Sequence, residues 1–93
     1  MPTASRTVII RNSQGLHARP AMQFVDVANQ FRASVMVHKG GDEPADANGK
    51  SVMDMLVLAA GEGTPLLIEA DGDDAAEAIQ KLAELIEAKF GEE

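Results

Sequence analysis

The sequence predicts a small two-layer sandwich of α+β or α/β type, in which helices cover one face of a sheet and leave the other open. Three observations predict this fold. Short strand-like segments alternate with helical segments in the order βαββαβα. The chain has 93 residues, which suits one domain covering 1–93. Hydrophobic residues make up 45% of it but include only three aromatic ones, all Phe, so the core is too shallow for a large cofactor.

The first strand and the first helix follow from local patterns. Residues 7–10 are largely β-branched and predict a strand, which the polar residues 12–15 end. Apolar residues then recur every three or four positions, which predicts a helix that begins at about His17 or Ala18. Pro20 fits only the first turn of that helix, where amides have no intrahelical acceptor. The expected buried positions are Ala21, Phe24 or Val25, Ala28 and Phe31.

The middle of the chain predicts a pair of strands and a short helix. Residues 34–38, Ser-Val-Met-Val-His, predict the second strand, with Val35 and Val37 on one face. Residues 45–48 predict a weak third strand, which the preceding Pro44 confines to an edge of the sheet. The apolar segment 52–58 predicts a short helix, with Ser51 near its N-cap because Ser is favoured there.

The last strand and the last helix complete the predicted order. Residues 66–70 predict the fourth strand. The acidic residues 71–74 place negative charge where a helix start favours it. The final helix is expected to run to about Lys89. Its expected buried positions are Ala76, Ile79, Ala83, Ile86 and Phe90.

Composition excludes several classes of function. Eight basic and fifteen acidic residues give a net charge of −7, which argues against nucleic acid or an anionic membrane as the main partner. The absence of Cys excludes disulfides, thiolate metal sites and a Cys nucleophile. Apolar runs are too short for a membrane span, and the N-terminus lacks the apolar stretch of a secretory signal. The expectation is a cytoplasmic monomer without membrane insertion, metal or cofactor.

The segment from Gly15 to Pro20 is the strongest candidate site. Gly15 permits a tight turn, and His17 stands at the predicted helix boundary. Free amides and the positive end of the helix dipole attract phosphate there, beside Ala18. Arg19 adds a permanent cation whose fork suits phosphoryl oxygens. A neutral imidazole in this place is a suitable nucleophile toward phosphorus. The alternative is that His17 merely precedes a helix, but Gly15, Arg19 and Pro20 together favour an anion site.

This segment, Gly-Leu-His-Ala-Arg-Pro-Ala at residues 15–21, resembles the active-site signature of the HPr family, the histidine-containing phosphocarriers of the phosphotransferase system. The similarity covers nearly the whole chain. It implies an open-faced sandwich of a four-stranded antiparallel sheet and three helices. It also implies that His17 accepts a phosphoryl group at Nδ1 from enzyme I, which took it from phosphoenolpyruvate, and passes it to a IIA-type domain. Arg19 matches the family's phosphate-neutralising arginine.

The second motif surrounds Ser51. From the residues alone, Ser51 is an ordinary helix cap. By the same resemblance, it matches the family's regulatory serine, which HPr kinase/phosphorylase phosphorylates in many bacteria. The resemblance further implies a docking patch for enzyme I and IIA domains, and Met suits a surface that binds several partners. Its expected members are Met22, Val52, Met53 and Leu56. Met55 or Leu58 is expected in the core instead.

Other motifs do not support a separate activity. Residues 49–51, Gly-Lys-Ser, match the end of a nucleotide-binding P-loop, but Pro44 stands where that motif needs Gly. His38 is expected on the sheet face opposite Val35 and Val37, exposed or half-covered and not a ligand. The acidic residues at 42–46 lack the spacing of an EF-hand. The loop 41–44 is about three residues longer than is typical of the family, and we expect this difference to affect partner preference.

Two functional hypotheses remain from the sequence. The first is a phosphocarrier, which is a protein substrate and not an enzyme, serving sugar uptake or a nitrogen-type regulatory branch. The second is a regulatory binding module controlled by phosphorylation of Ser51, without sugar transport. The intact set of His17, Arg19 and Pro20 favours the first hypothesis, although the two roles are compatible. A hydrolase has no supporting set of residues.

Overall fold

The structure, a computed structural model, describes residues 2–92 and has the predicted order of elements. Strands and helices alternate as βαββαβα, and a short 3₁₀ turn follows the last helix. The bounds are β1 Thr3–Ile9, α1 Ala18–Ala28, β2 Ser34–Lys39, β3 Ala45–Asn48, α2 Val52–Leu58, β4 Pro65–Asp71, α3 Ala75–Glu87 and the turn Lys89–Gly91. The fold is an open-faced α+β sandwich, as the resemblance implied.

The four strands form one antiparallel sheet in the order β1-β4-β2-β3. The central strand β4 pairs with β1 on one side and with β2 on the other, so that Glu69 lies opposite both Ser5 and Met36. The short strand β3 pairs only with β2 and forms an edge, which confirms the position predicted from Pro44.

The core lies between the inner face of the sheet and the three helices. Alternate residues of the strands point inward because the side-chain period of a strand is two. The buried strand residues are Val8, Val35, Val37, Ala47, Leu66, Ile68 and Ala70. Phe24 of α1, Met55 and Leu58 of α2 and Leu82 of α3 are fully buried against them. The predicted core positions of α2 are therefore confirmed.

The bounds of two elements and one buried position were predicted wrongly. β1 spans Thr3–Ile9 and not 7–10, because pairing with β4 extends the strand through polar residues that lack an apolar pattern. α3 ends at Glu87 and not at about Lys89. Ala76 is exposed, because it lies about 100° around the helix from the buried Ala75, at the margin of the buried face. The buried residues of α3 are Ala75, Ala78, Ile79, Leu82, Ala83 and Ile86.

The outer face of the sheet is not covered by any helix within residues 2–92. Its side chains include Ile9, Met36 and Leu67, all exposed. His38 lies between two carboxylates on this face: its Nδ1 is 2.7 Å from Asp46 Oδ1 and its Nε2 is 2.5 Å from Glu69 Oε1. The hydrogen bond to Asp46, followed by the one to Glu69, raises the pKa of His38 above 6.5. His38 is thus half-covered, as predicted, and it links β2 to both β3 and β4.

We expect His38 to make the stability of the protein depend on pH. Its pKa is raised in the folded state, so its stabilising effect is complete below pH 6.5 and is lost as pH rises through the folded pKa. The effect should reach at most about 1 kcal/mol, the usual range for exposed ion pairs. The free energy of unfolding of wild type and His38→Gln, measured at about pH 5.5 and 8.5, should differ more at the lower pH. An equal difference at both pH values would contradict this assignment.

None of the helices within residues 2–92 combines the length and the apolar character that a transmembrane helix requires.

Candidate functional site

The loop between β1 and α1 holds the candidate site in place by packing on the segment after α2. Gly15 has a φ of +68°, and a Cβ added there would lie 2.5 Å from the carbonyl oxygen of Ala60. The amide of Leu16 donates to the same oxygen at 2.8 Å. Only Gly combines the left-handed backbone with this close approach. Gly15 therefore fixes the direction in which the chain enters α1.

His17 is the N-cap residue of α1, which confirms the predicted start of the helix. Its backbone is extended, and its side chain makes no capping hydrogen bond. The first intrahelical bond runs from the amide of Ala21 to the His17 carbonyl at 3.0 Å. The amides of Ala18 and Arg19 precede that bond and have no intrahelical acceptor, while Pro20 has no amide proton. Within residues 2–92, the imidazole thus stands beside two amides without an intrahelical acceptor, at the positive end of the helix dipole.

The side chains of the first turn differ in exposure. Arg19 is exposed and projects from the helix, whereas Pro20 is buried against the core. The His17 side chain is 36% exposed, so its ring is open to a reaction partner. A cation, two free amides and an accessible imidazole therefore meet at one helix end, an arrangement suited to a phosphoryl group.

Two residues that the sequence did not single out contact this site. Both carboxylate oxygens of Glu92 lie 3.0 Å from His17 Nε2. The Nδ2 group of Asn12, which is fully buried, donates to Glu92 Oε1 at 3.1 Å and to the Gly15 carbonyl at 2.7 Å. No sequence pattern predicts the contact of Glu92, because 75 residues separate it from His17. Asn12 is missed because its polar side chain is typical of a surface turn, although it is in fact buried.

Ser51 is the N-cap residue of α2, which confirms the expected cap. Its Oγ accepts a hydrogen bond from the amide of Asp54 at 3.2 Å. The Asp54 carboxylate in turn accepts from the amide of Asn48 at 3.1 Å. Both bonds hold the first turn of α2 to the segment that precedes it and so fix the start of the helix.

α2 lies against α1 and runs in roughly the opposite direction. At one end, Lys50 Nζ donates to the Phe31 carbonyl, just beyond the C-terminus of α1. At the other end, the chain after α2 contacts the loop of His17 through the bond from Leu16 to Ala60. A helix of seven residues is about 10 Å long. Ser51 is at the start of α2, whereas the end of α2 is close to the His17 loop. The two are therefore separated by about the length of this helix.

Both helices of this pair carry exposed apolar side chains. We group them as the α1–α2 apolar surface, and its members are Met22, Met53, Leu56 and Val57. Met53 is 72% exposed and Val57 is 77% exposed. Val52, the fourth expected docking residue, is partly buried and packs against the core, and its role in docking stays a prediction. Val57 belongs to this surface although the sequence did not single it out.

The other motifs have structural roles. Lys50 Nζ, which a P-loop would direct at phosphates, is bonded to the Phe31 carbonyl at 2.8 Å. Within residues 2–92, no group of His, Asp and Glu side chains has an arrangement that could hold a metal ion, and this includes the cluster around His38. The loop 41–44 is exposed and joins β2 to β3.

Comparison with known proteins agrees with the geometry. Residues 4–88 match the family model described as the PTS HPr component phosphorylation site. The chain belongs to the HPr family. HPr of Neisseria meningitidis is 42% identical over 87 residues, covering 94% of each chain. The phosphocarrier protein NPr of Proteus mirabilis is 41% identical over 93 residues, covering 98% of this chain and 99% of its own.

The solved structures give the same result for the fold. The crystal structure of HPr-C-His from Thermoanaerobacter tengcongensis superposes with a TM-score of 0.87 at 41% identity, covering 97% of this chain and 98% of that one. The general role of the HPr family, that of a phosphocarrier of the phosphotransferase system, is therefore the role of this chain.

Proposed function

We propose that His17 accepts a phosphoryl group from phosphorylated enzyme I and passes it to a IIA-type domain. The observation that supports this most directly is the position of the accessible His17 ring at the start of α1, beside Arg19. In this role the chain is a cytoplasmic carrier that is itself modified, acts as a monomer and needs no cofactor or metal.

Phosphoryl acceptance at this place has a simple physical account. The lone pair of a neutral imidazole nitrogen attacks phosphorus, and the electron pair of the broken bond leaves with the donor. The negative charge that arrives is close to the free amides of Ala18 and Arg19 and to the Arg19 guanidinium. Because these groups remain exposed to solvent, they stabilise the phosphoryl group without burying it, which lets a second partner remove it.

The α1–α2 apolar surface is the proposed docking site for both partners. Met22 belongs to the helix that His17 caps, and Leu56 lies in the half of α2 nearer the His17 loop. A partner that covers this surface would therefore reach the ring of His17. Exposed Met side chains adapt to different partner surfaces, which suits a carrier that must bind a donor and an acceptor in turn.

Ser51 is the proposed regulatory site, where an HPr kinase/phosphorylase would add phosphate. Ser51 is partly exposed and precedes the partly buried Val52 and the exposed Met53 in the chain. It does not touch His17, so any effect of phosphorylation would act through the surface that a partner covers.

Two physiological branches fit this proposal. The chain is about equally similar to an HPr and to an NPr, at 42% and 41% identity. We therefore keep sugar uptake and a nitrogen-type regulatory branch as alternative destinations of the phosphoryl group. A module controlled by Ser51 alone, in which His17 carries nothing, is the second candidate and predicts no transfer to any IIA domain.

A three-component relay tests the proposal. Enzyme I, labelled phosphoenolpyruvate and a IIA-type domain are incubated with and without this protein, using acceptors from a sugar branch and from a nitrogen branch. If one of the two acceptors is labelled only when this protein is present, the carrier role is supported and the branch is identified. A phosphorylated chain that passes its label to neither acceptor, under conditions where another HPr does so, would contradict it.

We expect Arg19 to contribute to the rate of transfer more than to folding. Arg19→Ala should slow phosphorylation of His17 by about ten-fold or more, the effect of losing one charge-assisted hydrogen bond in the transition state. The rate of Arg19→Lys should lie between those of wild type and Arg19→Ala, because Lys keeps the positive charge but lacks the bidentate geometry of the guanidinium. Stability should change by less than about 1 kcal/mol because the side chain is exposed. Initial rates and thermal melts measure the two effects.

Arg32→Ala is the matched control for this prediction. Arg32 is also exposed, but it lies beyond the C-terminus of α1 and away from His17. An equal loss of rate in both variants would show a general effect of charge. A large loss of melting temperature in Arg19→Ala with unchanged transfer would assign Arg19 a structural role instead.

A further inference from the structure

The chain after α3 forms a hook that returns to the candidate site. Lys89, Phe90 and Gly91 have φ values of +58°, +55° and +76°. Two successive non-Gly residues in the left-handed region are unfavourable, at about 1–2 kcal/mol each, so other contacts must hold this conformation. Phe90 supplies such a contact, because its side chain is only 3% exposed within the core. The hook is therefore a defined part of the fold, and it directs Glu92 toward His17.

Glu92 is held at His17 by contacts on two sides. Its two carboxylate oxygens lie 3.0 Å from His17 Nε2, and Oε1 also accepts from Asn12 Nδ2 at 3.1 Å. The Glu92 side chain is only 20% exposed, less than the ring that it contacts. The hydrogen bond from His17, followed by the one from Asn12, lowers the pKa of Glu92. The carboxylate is thus ionised at neutral pH and acts only as an acceptor.

An ionised carboxylate at Nε2 determines the tautomer of the neutral ring. A neutral imidazole has one N–H group, and the nitrogen that faces a carboxylate carries it. His17 must therefore donate through Nε2 and keep its lone pair on Nδ1. Nδ1 lies across the ring from Glu92, so the carboxylate does not occupy the side from which phosphorus approaches.

We propose that Glu92 is a positioning residue for phosphoryl acceptance by His17, because it fixes the Nε2–H tautomer and the orientation of the ring. This inference rests on the proposed function. In the step, the Nδ1 lone pair forms the N–P bond and the electron pair of the broken bond leaves with the donor. Nε2 keeps its proton throughout. The ring becomes cationic on attack, and the Glu92 carboxylate offsets that charge, as acidic partners of catalytic histidines do.

Asn12 supports the same arrangement from the buried side. Its Nδ2 group connects the Glu92 carboxylate to the Gly15 carbonyl, and so joins the hook to the turn that precedes His17. Among the residues that the structure describes, its Oδ1 has no hydrogen-bond partner although it is buried. A buried amide oxygen without a partner is destabilising, so the two hydrogen bonds of the Nδ2 group are what hold this side chain in place.

The test compares Glu92→Ala and Glu92→Gln with Glu77→Gln in the full chain. Glu77 is exposed in the first turn of α3, so its variant loses one charge far from the hook. The first readout is the ¹⁵N chemical shifts of the His17 ring at a pH where it is neutral. Wild type and Glu77→Gln should show Nε2–H, while Glu92→Ala should show a mixture of tautomers and Glu92→Gln a smaller change.

The second readout is the kinetics of phosphorylation by enzyme I. The kcat of Glu92→Ala should fall on the order of ten-fold, the effect of one hydrogen bond, with KM for enzyme I unchanged within about two-fold. An unchanged tautomer in Glu92→Ala, or a kcat equal to that of Glu77→Gln, would overturn the proposal. A raised KM with unchanged kcat would also overturn it, because Glu92 would then act in docking.

The two readouts separate this inference from the carrier proposal. If enzyme I does not phosphorylate the wild-type protein at all, the proposed function fails, whatever the tautomer is. If wild type is phosphorylated normally and Glu92→Ala behaves as wild type in both readouts, only the role of Glu92 fails. Thermal melts of the variants, compared with Glu77→Gln, show whether a loss of folding contributes.

Discussion

Replacing His17 by Ala is expected to abolish acceptance of label from enzyme I and phosphoenolpyruvate. The reason is that His17 is the accessible imidazole beside the free amides of Ala18 and Arg19, and Ala offers no nucleophile. The rate should fall below detection, while the fold persists because the ring is not part of the core. The wild-type product should lose its label in acid, as phosphohistidine does, whereas a phosphoserine would keep it.

His38→Ala is the matched control, since the chain has two His residues. His38 lies on the outer face of the sheet, with both ring nitrogens bonded to carboxylates. Its variant should accept label at the wild-type rate near pH 7.5. Normal labelling of His17→Ala would contradict the mechanism proposed for this chain.

The second large effect is expected from negative charge at Ser51. Phosphoserine there would bring a charge of about −1.5 to −2 into the surface that a partner covers. When a partner covers this surface, that charge would lose its hydration next to the exposed Met53, which opposes docking. A loss of about 2 kcal/mol in docking corresponds to a complex roughly 30-fold weaker. Ser51→Asp should weaken docking less, because its charge is smaller, and should raise KM for enzyme I more than it lowers kcat.

Controls for Ser51 must separate the charge from the helix cap. The Ser51 Oγ caps α2, and Ser51→Ala should cost about 1 kcal/mol of stability. Asp and Asn are both good caps, so Ser51→Asn keeps the cap without the charge and is the matched control for Ser51→Asp. The concentration dependence of transfer is measured for all four proteins. If the concentration dependence of transfer is the same for all four proteins, Ser51 acts only as a helix cap.

Local patterns predicted most of the fold. The recurrence of apolar residues in α1 and the position of Pro20 located the start of that helix, because Pro is compatible only with the first turn. Ser51 located the start of α2 for a similar reason. The true length of β1 could not be predicted, because its first half is polar and becomes a strand only through pairing with β4.

The candidate site was predicted only where its residues are contiguous. His17, Arg19 and Pro20 lie at the start of one helix, so their spacing in the sequence was enough to predict that they are close in space. Glu92 reaches the ring only because three left-handed residues and the burial of Phe90 redirect the chain after α3. No pattern in the sequence encodes such a long-range contact. The acidic partner of His17 therefore emerges only from the three-dimensional structure.

Locating the phosphoryl group on the wild-type protein is the most direct test of the central claim. The protein is phosphorylated with enzyme I and labelled phosphoenolpyruvate, kept at alkaline pH, and examined by fragmentation mass spectrometry and by ³¹P and ¹⁵N NMR. We predict one phosphoryl group, bonded to Nδ1 of His17 and removable by a IIA-type acceptor. A phosphoryl group on His38 or Ser51, with His17 unmodified, would contradict the account.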